Sequence, residues 1–364
     1  MRTILVTGGA GFIGSHLVDE LLGEGYGVRV LDSLVGQVHD TAERPSHLNR
    51  EAELLVGDVR DPEAVRHALD GVDAIIHLAA RVGVGQSMYE LREYVSANSY
   101  GTAVLLQELL DRPVRKLLVA SSMSIYGEGA TAPVPAVERT RADLEGRRFE
   151  PRGAGGEELT PLATPESKPA ANSSVYALSK YDQERLCLVF GEAYDVPTVA
   201  LRFFNAYGPR QALSNPYTGV LAIFASRLLN GRRPLVYEDG EQRRDFVNVA
   251  DVARACVLAL ESDAADGRAL NVGSGRSVTV NEIASKLARV LGTDLGPEVT
   301  GKFRAGDIRH CFADITLATD LLHYQPEVEL EDGMAELAEW LATQTAEDRV
   351  DAATEELVSR GLAR

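Results

Sequence analysis

The run Ile4-Leu5-Val6-Thr7-Gly8-Gly9-Ala10-Gly11-Phe12-Ile13-Gly14 constrains the fold more than any other feature of the chain. An apolar, β-branched stretch leads into Gly8-x-x-Gly11-x-x-Gly14, and an amphipathic stretch follows at once. A strand that turns on such glycines and opens a helix is a dinucleotide cradle. Gly8 allows the tight turn, Gly11 lets the backbone approach a pyrophosphate, and Gly14 lets the helix pack closely on the sheet; Phe12 and Ile13 ride in the same turn. The helix N-terminus then offers N–H groups and a partial positive charge to the phosphates. Asp32 ends the second apolar run, 18 residues beyond Gly14. A carboxylate there accepts the adenosine ribose hydroxyls and repels a 2′-phosphate, so the expected cofactor is NAD rather than NADP. Asp58, at the end of a third run, is placed to accept from the adenine amino group. His77-Leu78-Ala79-Ala80 ends a fourth run with small residues against which a cofactor can lie flat. Val59 and Asn98 complete the expected cofactor contacts.

The first half alternates strand-like runs with amphipathic stretches. Strands are expected at 4–6, 28–31, 53–56, 74–77 and 116–120, and helices near 14–24, 62–69, 90–111 and 175–194. That alternation builds an α/β fold, a Rossmann-type doubly wound parallel sheet. Beyond Asn205 it loosens, with helices expected near 218–230, 249–262, 279–291 and 330–343, which suggests a smaller mixed α/β C-terminal substrate lobe. The expected division is an NAD-binding domain over 1–205 with part of 235–275, a substrate lobe over 206–234 and 276–343, and a tail over 344–364. Residues 127–174 are rich in Gly, Pro, Glu and Arg without sustained period, a long loop of the kind that is functional or mobile. The charged, Ala-rich residues 345–364 read as a surface helix or a frayed tail.

Composition narrows the partners. With 364 residues and a formal net charge of −17, the surface repels phosphodiester backbones and anionic membranes, so nucleic acid and membrane are not expected partners. An anionic substrate must be held by locally placed arginines. Cys187, Cys256 and Cys311 are far apart and lack metal-ligand spacing, which argues against a disulfide framework or a bound metal. No apolar run is long enough to span a bilayer, and Met1-Arg2-Thr3-Ile4 leads straight into a strand; a cytoplasmic protein is expected.

Tyr176-Ala177-Leu178-Ser179-Lys180 supplies the chemistry. On a helix, i and i+4 share a face, so phenol and ammonium point into one cleft. A lysine charge roughly 4–5 Å away, at an effective dielectric near 20, favours the phenolate by about 3–4 kcal/mol. That would hold Tyr176 well below the ordinary phenol range and make it a usable base. Tyr-x-x-x-Lys alone is common on surface helices. Here it follows a complete dinucleotide cradle and Ser121-Ser122-Met123-Ser124-Ile125-Tyr126-Gly127, at the sheet edge where open parallel sheets bind ligands.

Together these residues resemble the extended short-chain dehydrogenase/reductase family, in particular its nucleotide-sugar epimerases and dehydratases. The resemblance covers roughly residues 1–340. It extends through Arg202-Phe203-Phe204-Asn205-Ala206-Tyr207-Gly208-Pro209-Arg210, Arg244-Asp245-Phe246, Asn271-Val272-Gly273 and Arg304-Ala305-Gly306-Asp307. It implies that Ser122, Tyr176 and Lys180 are catalytic and that Ser122 shares the hydrogen bond of the substrate hydroxyl. It also implies that Asn205, Arg244 and Arg304 bind a diphosphate, Asp307 a nucleotide ribose, and Ser124 and Cys311 the sugar. Family dehydratases and decarboxylases carry acidic residues directly after the hydroxyl residue, where this chain has Met123 and Ser124. The implied reaction is therefore 4-epimerisation of a UDP- or dTDP-linked sugar by transient C4 oxidation. A 4-ketosugar reductase is the runner-up, a dehydratase or decarboxylase is disfavoured, and a non-catalytic NAD sensor would need none of the three catalytic residues. Cys311 stands where stricter relatives carry tyrosine, which suggests a roomier sugar pocket. The helices at 90–111 and 175–194 are expected to pair in a homodimer, as in the family.

Overall fold

The computed structural model describes residues 2–39, 43–212, 219–304, 306–344 and 350–363. Seven parallel strands form the central sheet: β1 Thr3–Thr7, β2 Gly27–Asp32, β3 Glu53–Val56, β4 Ala74–His77, β5 Lys116–Ser122, β6 Thr198–Phe203 and β7 Ala269–Val272. Their order across the sheet is β7-β6-β5-β4-β1-β2-β3. The chain starts in β1, winds outward to β3, then crosses back and winds outward through β4 to β7. The topological switch therefore lies between β1 and β4, whose C-terminal edge is where open parallel sheets hold ligands. Five of these strands are apparent as apolar runs; β6 and β7 extend the sheet beyond them.

Alternate residues of each strand feed two cores. Ile4, Val6, Val28, Val30, Ile76, Leu118, Val199 and Leu201 face one way, against helix α1 (Phe12–Gly23) and a helix over Val249–Glu261. Leu5, Leu31, Ile75, Leu117, Val119 and Ala200 face the other, against Gly101–Leu109 and helix α2 (Val175–Ala193). Period-two alternation with both faces buried gives these near-continuous apolar runs. A third core gathers Leu221, Phe224, Ile283, Leu287, Met334 and Leu337 from the helices Val220–Leu229, Val280–Val290 and Leu330–Leu341.

Three differences from the sequence reading concern the site. The helix expected over 90–111 runs as Leu91–Tyr94 and Gly101–Leu109 joined through a π-helical turn, Val95–Tyr100. The 127–174 segment is not free: Gly129 N–H donates to the His310 carbonyl (2.7 Å) and Thr164 N–H to that of Phe312 (2.8 Å). Ion pairs hold it too, from Arg139 to Glu238 and from Glu150 to the fully buried Arg309. Finally, the tail contains a helix, α3 (Val350–Ser359), that lies on the body of the protein; positions 345–349 and 364 of the expected tail, position 218 of an expected helix and Ala305 of the arginine motif lie outside the described residues.

Candidate active site

Two cavities lie at the C-terminal edge of the sheet, lined by residues adjacent in the chain at Ser122/Met123 and Phe204/Asn205. The larger, about 560 Å³, is lined by Gly8, Gly11, Phe12, Ile13, Gly14, Asp32, Asp58, Val59, Leu78, Ala79, Ala80, Ser122, Tyr176 and Lys180, among others. That volume falls in the usual range for small-molecule sites. Gly8 sits at φ +71°, in the left-handed region, and a Cβ there would lie 2.9 Å from the Ala79 nitrogen; a Cβ on Gly14 would lie 2.3 Å from the Gly8 carbonyl oxygen. No side chain could occupy either position. At Gly11, the N-cap of α1, no side chain caps the helix, and a Cβ would meet only the Gly8 oxygen at 3.4 Å. The first N–H groups of α1 thus face open space of the kind a pyrophosphate fills. Asp32 accepts the N–H groups of Ala10 (3.0 Å) and Leu34 (2.9 Å), one on each oxygen. Each oxygen keeps a lone pair for a hydroxyl. These residues fit a dinucleotide.

Asp58 lines the same cavity but is paired: Arg60 binds both its oxygens, at 2.6–3.0 Å. Burial alone would raise its pKa, yet the bonds from Arg60 hold it below the ordinary carboxylate value. Asn98 does not line the cavity. It is fully buried in the π-helical turn, its oxygen accepting Arg81 N–H (2.7 Å) and its amide donating to the Arg81 carbonyl (3.1 Å) and Ser179 Oγ (2.8 Å). Asn98 thus ties Arg81 to α2 from the π-helical turn.

The hydroxyl, phenol and lysine all line the larger cavity. Ser174 caps α2 by accepting Ala177 N–H (3.1 Å), and Tyr176 N–H donates to Ser87 Oγ (3.0 Å). Both contacts fix the first turn, from which Tyr176 and Lys180 reach the larger cavity. The electrostatics differ from expectation. Burial raises the Tyr176 phenol above its ordinary value, with the hydrogen bond from Ser122 as the opposing influence. Lys180 is itself buried and brought down to about 7, and its ammonium donates to Gln183 Oε1 (2.7 Å). Sequence spacing places the lysine charge but says nothing of its dehydration, which weakens the charge meant to prime the phenol. Gln183, held by Thr102 (2.9 Å), is a positioning residue that sequence reading missed.

The smaller cavity, about 260 Å³, is lined by Ser124, Asn205, Arg244, Arg304 and Asp307. Arg244 spends three of its five N–H bonds on the carbonyls of Arg243, Ile308 and Arg309, leaving two for an anion. Arg304 lies over the Tyr237 ring (4.2 Å) and donates to Asp307 (3.2 Å). Asn205 Oδ1 is buried without a hydrogen-bond partner, an amide end that a ligand would satisfy. Ser124 gives its hydroxyl hydrogen to Ser122 Oγ (2.9 Å). Cys311 lines neither cavity. It is fully buried among Met123, Ile125, Tyr126 and Phe204, with Sγ 3.8 Å from Thr164 Oγ1, and burial pushes its thiol up to about 12. Cys311 is the strand partner of Arg244, with its thiol packed in this small core.

Comparison with known proteins bears on this geometry. Residues 4–273 match the model of the NAD dependent epimerase/dehydratase family. The dTDP-L-rhamnose 4-epimerase of Burkholderia thailandensis is 36% identical over 354 residues, covering 94% of this chain and 96% of that protein. Among solved structures, the UDP-glucose 4-epimerase of Thermotoga maritima with UDP-glucose superposes with a TM-score of 0.78 at 33% identity, covering 94% of this chain and 99% of that one. The Thermus thermophilus UDP-glucose 4-epimerase complex with NAD gives 0.76 at 31% identity, with coverage of 94% and 100%.

Proposed function

The chain belongs to the NAD-dependent epimerase/dehydratase family, and from that premise we propose that it is a nucleotide-sugar 4-epimerase that keeps its NAD through turnover. One observation carries the reading: Ser122, Tyr176 and Lys180 line the larger cavity together with the glycine turn, while the positions directly after Ser122, which line the smaller cavity, hold Met123 and Ser124 rather than acids. A dehydratase or decarboxylase must move a second proton there, and neither side chain does so readily.

Held by the glycine turn and Asp32, NAD would supply a reversible hydride acceptor for the sugar C4. The chain's own residues do the rest. Tyr176 removes the proton of the C4 hydroxyl, Ser122 donates to the phenolate, and Lys180 supplies positive charge. The resulting 4-keto sugar turns over in the cleft, and Tyr176 reprotonates the oxygen as the opposite face is reduced. Asn205 and the free N–H groups of Arg244 and Arg304 would hold the diphosphate, and Asp307 the ribose. We assign the cofactor to residues 1–205 with part of 235–275, and the nucleotide-sugar to 206–234 and 276–343.

We also propose a homodimer. Leu91, Val95 and Tyr100 on one helical segment and Leu178, Val189 and Tyr194 on or beside α2 are all large, apolar and exposed, as a helix-pair interface between two copies requires. No helix among the described residues is long and apolar enough to cross a membrane, and a cytoplasmic location is the corresponding proposal.

The test uses no added cofactor. Denaturing purified protein should release about one NAD per chain, and incubation with UDP- and dTDP-sugars should invert C4 as followed by NMR. Turnover only with stoichiometric NADH or NADPH would refute the epimerase reading in favour of a reductase.

A further inference from the structure

Helix α3, from the expected tail, closes the substrate cavity. Val350, Ala353, Thr354 and Leu357 recur at i, i+3, i+4 and i+7, and all four line the cavity that holds Asn205, Arg244 and Arg304. Ala353 and Leu357 are buried. Both ends of the segment are tied down. Asp351 accepts from Arg227 and Arg232, each at 2.7 Å. At the other end the Arg360 guanidinium lies 4.4 Å over the Tyr89 ring, and Ala363 bridges Arg304.

Between these anchors the helix reaches both ends of the cleft. Thr354 Oγ1 lies 3.3 Å from the hydroxyl of Tyr237, the ring that carries Arg304. Leu357 packs so close to Gly85 that a Cβ there would meet both its methyl carbons at 3.4 Å. Gly85 shares the turn Val84–Ser87 with the serine that accepts the Tyr176 N–H. Leu357 thus packs on the turn whose serine fixes the Tyr176 backbone.

We propose that α3 is part of the substrate site, with Thr354 and Leu357 touching the bound nucleotide-sugar, and that its apolar face selects an uncharged sugar over a hexuronate. This rests on the epimerase reading above. The charge argument is local. Among the described residues lining this cavity the only cations are Arg244 and Arg304, and both are needed by the diphosphate. A sugar carboxylate brought against Leu357, Val84 and Met123 would lose its hydration, and the described lining of this cavity offers no further cation to replace it.

The experiment uses the full-length protein with its resident NAD and two substrates sharing one nucleotide, UDP-galactose and UDP-glucuronate, so that base preference cancels. Wild type should favour UDP-galactose in kcat/KM by at least about tenfold. Leu357→Arg should move that ratio at least about tenfold toward UDP-glucuronate. Leu357→Ala should raise KM for UDP-galactose at least about fivefold while leaving kcat and NAD content unchanged. An unchanged ratio in Leu357→Arg, or an unchanged KM in Leu357→Ala if the arginine variant does not fold, overturns the proposal. Where wild type epimerises neither of these two sugars, the wider set of UDP- and dTDP-sugars above decides the epimerase reading. In that event calorimetric Kd values for UDP-galactose decide the helix separately, and equal values for wild type and Leu357→Ala overturn it.

Discussion

Removing the Ser122 hydroxyl isolates the one contact that favours the Tyr176 phenolate. A serine hydroxyl has two acceptor lone pairs and one hydrogen. Ser122 Oγ accepts the N–H (3.2 Å) and the hydroxyl (2.9 Å) of Ser124, so its hydrogen is left for Tyr176, whose pKa that bond lowers. A hydrogen bond to a charged group is worth about 1.5–3 kcal/mol. Ser122→Ala should therefore cut kcat/KM by about 10- to 150-fold and move the rising limb of the pH profile to higher pH. Ser124→Ala leaves that donor in place and removes a neutral bond of about 0.5–1.5 kcal/mol, a loss of about 2- to 10-fold. Because Ser124 acts through Ser122, the double variant should be no worse than Ser122→Ala alone. The assay is initial epimerisation rate against sugar concentration and pH, with bound NAD quantified as the control for folding. Two outcomes refute the reasoning. A loss under about threefold in Ser122→Ala would show that the bond contributes little. Multiplicative losses in the double variant would put Ser124 directly on the sugar.

Cys311→Tyr should destabilise rather than re-select substrate. A phenol in that fully buried site among Met123, Tyr126 and Phe204 costs about 1–3 kcal/mol or more by overpacking. Thermal unfolding should show a lowered Tm, and an unchanged Tm with selective loss of bulky sugars would restore Cys311 to the pocket. Lys180 carries a stability signature of its own in NAD-stripped protein. Its folded pKa of about 7 lies below the ordinary 10.5, so between those values the unfolded chain holds a proton that the folded chain does not, and its contribution to stability rises with pH. The Tm of wild type minus that of Lys180→Met should increase from pH 6.5 to pH 9.5; a difference independent of pH would contradict the buried, dehydrated lysine.

Local chemistry carried much of this protein into view. The glycine triplet, Asp32 and the i, i+4 pair of Tyr176 and Lys180 are each defined by spacing within one turn or one strand–helix unit, and such spacing survives in the linear chain. The alternation of apolar runs likewise specifies a parallel sheet, although β6 and β7 become strands by pairing with β5 and β6 across long intervals. The i, i+3, i+4, i+7 stripe of α3 was also present in the sequence, masked by charged neighbours, but a stripe does not say what it packs against.

Tertiary structure decided everything that depends on dehydration and on distant partners. It made Lys180 a weak cation by burying it and tied Asn98 to Arg81 and Ser179. It placed Cys311 in the core and laid a C-terminal helix across the substrate cleft. Each of these outcomes depends on which atoms displace water around a group, and the residues that do so lie tens to hundreds of positions away. The sequence by itself determined the strand, the glycine turn and the reacting side chains, because those need only their neighbours in the chain.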